Sequence, residues 1–311
     1  MSEETKLTDY LLSIVVPMYN EEQGAKECVA RLKSVLQNMG CRYEIIFIND
    51  GSRDRTLEIL KAERDQNIRI LNLSRNFGHQ AAITAGLDYA KGDAIIIIDG
   101  DLQDPPELFP EMVAKWQAGA DVVHARRKKR EGETAFKLFT AKIYYRIMRQ
   151  LSDIDMPVDV GDFRLMSARA KDSLMKLRER RRYVRGLVAW VGYKQDFVEY
   201  DRAERFAGET HYTLLRMLRF SMDGIASFSV VPLRISSFVG AMSAFIALLY
   251  GVYALYIKFT AHAIIGWTSV VIVVLFLGGI QLLCLGIIGE YIGILHEEIK
   301  QRPLYIIGEV Y

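Results

Sequence analysis

Two uncharged apolar runs near the C-terminal end constrain this chain more than any other feature. Residues 235–257 form a run of 23 and residues 263–289 a run of 27, and neither contains a charged side chain. At 1.5 Å of rise per residue, a helix of either length exceeds the roughly 30 Å apolar thickness of a bilayer. Two such lengths in succession argue for transmembrane helices rather than a buried soluble pair. The short connection Lys258-Phe259-Thr260-Ala261-His262 makes them a hairpin. Arg216, Arg219 and Arg234 precede the first run, Lys300 and Arg302 follow the second, and the connection carries only Lys258. The positive-inside bias then places both termini, and everything before the hairpin, on the cytoplasmic face.

Composition agrees with a polar body carrying an apolar tail. Mean hydropathy is +0.08 although 25% of the 311 residues are charged, and the apolar excess lies in the two runs. The net charge of +2 supplies no global field for nucleic acid, so any basic effect must be local. Cys28, Cys41 and Cys284 show no metal-type spacing, which fits a reducing compartment without a disulfide framework or zinc site. The first ten residues are polar and acidic, with no signal-peptide pattern.

Ahead of the hairpin, short β-rich runs alternate with helical patterns. Strands are expected over 13–16, 44–48, 69–73, 94–98 and 121–124, and helices over 22–39, 56–66, 79–90 and 106–118. Such alternation predicts an α/β fold with a doubly wound, mostly parallel sheet that binds ligands beyond the carboxyl ends of its strands. Two further stretches, 136–151 and 213–228, interleave apolar residues with Lys and Arg near a helical period. Both read as basic amphipathic helices lying in a headgroup layer, and the first equally as a core-facing helix.

The expected strand ends carry the chemistry. Ile95-Ile96-Ile97-Ile98-Asp99-Gly100-Asp101-Leu102-Gln103 delivers two acids and an amide at alternate positions. On extended chain Asp99, Asp101 and Gln103 share one face, and oxygen ligands of that kind suit Mg²⁺ or Mn²⁺ shared with a diphosphate. The bland alternative is an Asp-Gly turn closing a core strand. No G-x-G-x-x-G turn or P-loop follows any strand, which removes the main support for a dinucleotide or P-loop enzyme.

Three segments together resemble the inverting GT-A glycosyltransferases of family 2: Ile14-Val15-Val16-Pro17-Met18-Tyr19-Asn20-Glu21-Glu22, Asn49-Asp50-Gly51-Ser52, and Asp99-Gly100-Asp101-Leu102-Gln103-Asp104-Pro105-Pro106. Val160-Gly161-Asp162-Phe163-Arg164-Leu165-Met166-Ser167, Arg202-Ala203-Glu204-Arg205 and Gly289-Glu290-Tyr291-Ile292-Gly293 narrow the resemblance to polyprenyl-phosphate glycosyltransferases of the bactoprenol glucosyltransferase type, which supply glucose for O-antigen modification. The resemblance implies a GT-A catalytic domain over 1–210, a juxtamembrane segment over 211–233, two membrane helices over 234–290 and a cytoplasmic tail over 291–311. It implies an inner-membrane, multi-pass, homo-oligomeric enzyme moving a sugar, glucose first, from a UDP-sugar to undecaprenyl phosphate for cell-envelope glycan modification.

The resemblance also implies residue roles. Pro17, Tyr19, Glu21 and Asp50 hold the uridine. Asp99, Asp101 and Gln103 carry the metal, Arg205 reaches the nucleotide phosphates, and Arg126 and Lys137 meet the acceptor phosphate. Asp101 and Asp162 are the catalytic acids, with Asp162 either a base, an orienting group or simply a turn or N-cap acid. His211 stands where the family commonly has Lys, which weakens a permanent positive charge there. The remaining arginines and lysines of 126–130 and 178–185 are expected to act mainly as diffuse surface charge near anionic lipid. Transfer of another sugar (a modified arabinose, galactose, GlcNAc or mannose) stays open, as does a non-catalytic scaffold or sugar-lipid translocation partner. A processive synthase is disfavoured because no Gln-x-x-Arg-Trp signature is present.

Overall fold

The structure is a computed structural model, which describes residues 10–127, 160–180, 182–201, 231–260 and 266–311. The expected amphipathic helices at 136–151 and 213–228 lie outside the described residues. Two compact units emerge, one from the described parts of 1–149, 154–217 and 302–311, the other from those of 218–301.

The first unit is the expected alternation. In order it contains β1 (Leu11–Met18), α1 (Ala25–Met39), β2 (Arg42–Asn49), α2 (Thr56–Ala62), β3 (Ile68–Leu73), α3 (His79–Tyr89) and β4 (Ala94–Ile97). A 3-10 turn at Pro106–Leu108, α4 (Phe109–Gln117) and β5 (Val122–Arg127) follow. Beyond the undescribed stretch come β6 (Val160–Ser167), α5 (Ala168–Lys176), α6 (Val184–Val191) and β7 (Gln195–Tyr200). The strands join as β7-β5-β6-β4-β1-β2-β3-β8, where β8 (Ile307–Val310) is the chain's last element.

Burial explains why these segments are strands. Leu12–Met18 and Ala94–Ile97 are buried throughout, which selects the continuous apolar runs typical of parallel strands covered on both faces. Alternate residues feed two cores. Leu12, Ile14, Val16 and Met18 of β1 pack with Cys28, Val29, Leu32 and Leu36 of α1 and with Phe109 and Met112 of α4. On the opposite face α3 lies over β1 and β2, so close that a Cβ on Gly86 would sit 2.3 Å from Val15 Cγ1. Those two covered faces make the doubly wound fold.

Two strands run against the rest. β1, β2, β3, β4, β5 and β7 share one direction, whereas β6 is antiparallel to β4 and β5, and β8 is antiparallel to β3. The reversal of β6 has a functional consequence. An antiparallel strand begins at the edge where its parallel neighbours end, so the start of β6 meets the carboxyl ends of β4 and β5.

The second unit is the hairpin. α7 (Val231–Thr260) and α8 (Trp267–Ile299) are each long and apolar enough to cross a membrane. Phe238 is 65% exposed and Leu282 72%, so the apolar side chains face outward rather than into a protein core. A bilayer removes that mismatch; water does not. Both helices outrun the apolar runs. Lys258–Thr260 belong to α7, which corrects the expected connection, and α8 continues ten residues past Gly289 before the chain returns to the sheet as β8.

Candidate active site

Four segments line the carboxyl edge of the sheet at its centre. The loop after β1 is tied to the loop after β2 by backbone donors: Asn20 N to Ser52 Oγ at 3.0 Å, Glu21 N to Thr56 Oγ1 at 2.8 Å, and Arg53 N to Asn20 Oδ1 at 2.9 Å. Asn20 has φ 55°, a left-handed conformation that Asn tolerates. Beside it Tyr19 is exposed, Glu21 is half-buried and Pro17 is buried.

Asp50 has a further task that sequence did not suggest. It is buried, and its two oxygens accept from Phe77 N at 2.7 Å and Gly78 N at 2.9 Å. The carboxylate therefore braces the turn that launches α3. Burial raises its pKa, against the pull of those two amides.

The expected alternation of Asp99, Asp101 and Gln103 along a strand does not hold. β4 stops at Ile97, and the next residues form a turn in which Leu102 has φ 59° and Gln103 N donates to Asp101 Oδ1 at 3.2 Å. A bulky residue in the left-handed region is strained by about 1–3 kcal/mol, and such strain gathers at functional sites. Below the turn, Asp104 is buried and accepts from the Tyr200 hydroxyl, which itself accepts from Arg127 Nε at 3.3 Å.

β6 carries Asp162 to the same edge. Ile97 pairs with Arg164, so Asp162, two residues earlier on β6, lies beside the turn after β4, and His79 Nε2 reaches both Asp162 Oδ2 at 3.2 Å and Asp99 Oδ1 at 3.5 Å. Asp162 is buried, and its carboxylate is saturated. Oδ1 accepts from Arg164 Nη2 at 3.3 Å and Arg185 Nε at 3.0 Å. Oδ2 faces Arg185 Nη2 at 3.1 Å, His79 Nε2 at 3.2 Å and Gln80 Nε2 at 3.4 Å. An ionised carboxylate offers about four lone-pair positions, and these contacts occupy them all. Burial alone would raise the pKa, but Arg185, His79 and Arg164 hold it well below the ordinary carboxylate range.

Asp99 is the counterpart. Its Oδ1 is buried, accepts no hydrogen bond, and lies 3.5 Å from His79 Nε2. Burial, reinforced by Asp162, Asp104 and Asp101, pushes its pKa up to about 6 against the opposing pull of His79. Burial also opposes the charge on His79, but Asp162 and Asp99 together raise that pKa to about 9. His79 thus bridges two acids as a cation at neutral pH.

A half-buried carboxylate with one buried, unbonded oxygen is what a divalent cation fits. Among the described residues no three His, Cys, Asp or Glu side chains group closely enough to hold a metal alone. Mg²⁺ and related ions are commonly held by one or two carboxylates plus substrate phosphates, and Asp99 and Asp101 are the carboxylates that could supply that hold.

Arg126, at the end of β5, stacks over Phe197 with its guanidinium carbon 3.8 Å from the ring centroid, while its Nε is buried without a hydrogen bond. Arg205, Lys137 and His211 lie outside the described residues. The reading of 178–185 as diffuse surface charge is overturned where it is described. Arg178 clamps Asp88 at 2.7 and 2.8 Å, Arg180 donates to Arg302 O at 2.8 Å, Arg182 is buried against the Leu174 and Leu177 carbonyls, and Arg185 grips Asp162. Each of these four arginines found an acceptor that folding brought to it. His79, Gln80, Arg164 and Arg185 were all missed in sequence. Only Arg164 carried a local signal, a second charge two residues from Asp162 in a fully buried strand.

The glycosyl transferase family 2 model matches residues 13–174, and a GtrB C-terminal hairpin model matches residues 231–295. An uncharacterized glycosyltransferase, YkcC, of Bacillus subtilis (strain 168) is 52% identical, covering 96% of this chain and 94% of its own. The prophage bactoprenol glucosyl transferase homolog of Escherichia coli (strain K12) is 41% identical over 96% of this chain and 99% of its own. The bactoprenol glucosyl transferase of Shigella phage SfII is 40% identical over 95% of this chain and 97% of its own. A sheet whose carboxyl edge gathers these acids, a family match over half the chain and relatives aligned nearly end to end agree: the chain belongs to glycosyl transferase family 2.

Proposed function

We propose that this glycosyltransferase moves a sugar, glucose in the first instance, from a UDP-sugar to undecaprenyl phosphate at the cytoplasmic face of the inner membrane. The observation that carries the reading is the union in one chain of a family 2 domain and a GtrB C-terminal hairpin, over nearly the whole length of relatives named as bactoprenol glucosyl transferases or their homolog. The outward apolar faces of α7 and α8 support a lipid acceptor, because they would hold the site at the surface where such an acceptor lies.

The mechanism follows from the acceptor's charge. A phosphate monoester has a second pKa near 6 and is mostly dianionic at neutral pH, so its oxygen attacks the anomeric carbon without a strong base. Asp162 is suited to orientation rather than proton abstraction, since its lone pairs are engaged and its pKa is depressed. Asp99 and Asp101 would hold a divalent cation, Mg²⁺ or Mn²⁺, which when bound neutralises charge on the departing diphosphate. Pro17, Tyr19, Glu21, Asp50 and Gln103 form the nucleotide side of the site, with Arg205 completing it. Arg126 and Lys137 receive the acceptor phosphate, and Arg126, stacked on Phe197 with its Nε unpaired, is preorganised for an anion.

The test is UDP release from a panel of UDP-sugars with and without undecaprenyl phosphate in detergent or vesicles. Acceptor-dependent release that is greatest with UDP-glucose is expected. Acceptor-dependent release that is greatest with another donor corrects the sugar, and release indifferent to the polyprenyl phosphate overturns the reading.

A further inference from the structure

We propose that Arg185 is a positioning residue for transfer, holding Asp162 as a fixed, ionised orienting group through a two-pronged guanidinium contact. The inference rests on the reading of this edge as the transfer site. Its geometry is specific: Arg185 Nε meets Oδ1 at 3.0 Å and Nη2 meets Oδ2 at 3.1 Å, so one planar fork spans both carboxylate oxygens. Such a pair fixes the carboxylate plane as well as its place, which a lysine ammonium does not do.

The groups around Asp162 divide the work. Arg164, fully buried on β6, approaches Oδ1 from within the sheet. His79 and Gln80, at the start of α3, approach Oδ2, and His79 also faces Asp99 from the loop after β4. Among the described residues only Arg185 grips both oxygens. The residue before it is held as well, because Val184 N donates to Gln80 Oε1 at 3.2 Å while Gln80 Nε2 faces Asp162. The segment leading into α6 is pinned at Arg178, Arg180 and Arg182 by Asp88, the Arg302 carbonyl and the carbonyls closing α5. Arg185 therefore reaches Asp162 from a strap with little freedom, which suits a group whose task is to fix another.

The test is a double-mutant cycle on acceptor-dependent transfer by the full-length protein, using Arg185→Ala, Arg185→Lys, Asp162→Asn and the combined Arg185→Ala/Asp162→Asn. Misplacing a reacting group by about 1 Å costs roughly 100-fold in rate, so Arg185→Ala is expected to lower kcat by about that factor while donor KM and UDP affinity stay within about twofold. Guanidinium ion should restore part of the Arg185→Ala loss, and Arg185→Lys should fall between. In the Asp162→Asn background the Arg185 change should add less than about threefold, because coupled residues are not additive. Multiplicative losses, a loss carried by donor KM, or full activity in Arg185→Lys overturns the proposal. If Arg185→Ala does not fold, Arg185→Lys carries the comparison. Isotope-edited infrared spectroscopy of the Asp162 carboxylate separates this inference from the proposed reaction, since it needs no substrate. Carboxylate stretching bands with the same frequencies and widths in wild type and Arg185→Lys overturn the positioning role whatever the enzyme transfers, whereas wild type with no acceptor-dependent release overturns the reaction alone.

Discussion

Gly40 and Gly51 both hold φ +64°, yet their surroundings differ, and that pair yields a quantitative prediction. An alanine Cβ at Gly40 meets nothing within 4 Å. At Gly51 it would lie 2.4 Å from the Arg75 carbonyl carbon, 2.5 Å from Asn76 N and 2.9 Å from Arg75 Cα, all backbone atoms that cannot rotate aside. The left-handed conformation costs an L-residue about 1–2 kcal/mol, partly offset by about 0.4–1 kcal/mol from a stiffer unfolded chain. Gly40→Ala should therefore destabilise by about 1 kcal/mol. Gly51→Ala adds an overpacking term of about 1–3 kcal/mol, for a total of about 2–4 kcal/mol. The backbone forced to retreat leads directly to Phe77 and Gly78, whose amides hold Asp50, and to His79. Gly51→Ala should thus weaken UDP binding as well as lower Tm, whereas Gly40→Ala should leave UDP binding unchanged. Thermal unfolding and titration calorimetry with UDP in detergent measure both, each kcal/mol shifting Tm by about 2–4 °C in a domain of this size. Equal Tm losses in the two variants, or unaltered UDP affinity in Gly51→Ala, would refute the backbone-contact argument.

Three further outcomes are expected. Asp101→Asn should abolish transfer with Tm preserved, and a chelator should do the same until Mg²⁺ or Mn²⁺ is restored; activity of the variant in chelator would sink the cation assignment. For His79, the folded pKa of about 9 lies above the ordinary 6.5, so its stabilisation is full below about pH 6.5 and is lost as pH rises through 9. Wild type should then lose Tm over that interval more steeply than His79→Gln, and parallel melting curves would remove His79 from the acid pair. For topology, Thr260→Cys should react with an impermeant thiol reagent in intact cells and Tyr311→Cys should not; the opposite labelling would invert the hairpin.

Much of the fold was legible because it rests on local causes. The strand at 11–18 and the strand at 94–97 are apolar runs with no polar alternation, and burial on both faces demands that composition. The helix at 25–39 carries apolar residues at 3.6-residue spacing, and the hairpin announces itself by length. β8 was not legible, because Ile307–Val310 becomes a strand only by pairing with β3 across the chain. β6 offered a motif but not a direction, and direction is set by which neighbours it pairs with.

The sequence by itself determined the layered α/β body, the apolar hairpin and the acids Asp99, Asp101 and Asp162, because periodicity, length and residue chemistry are properties of short segments. Tertiary structure alone decided what those acids do. The antiparallel entry of β6 brings Asp162 beside the loop that carries Asp99, and α6, α3 and β6 itself then surround Asp162 with Arg185, His79 and Arg164 while leaving Asp99 Oδ1 without a hydrogen bond. Two carboxylates of the same intrinsic chemistry consequently have opposite pKa shifts. Charge compensation in a buried site depends on distance and solvent exclusion, and neither is written in the order of residues.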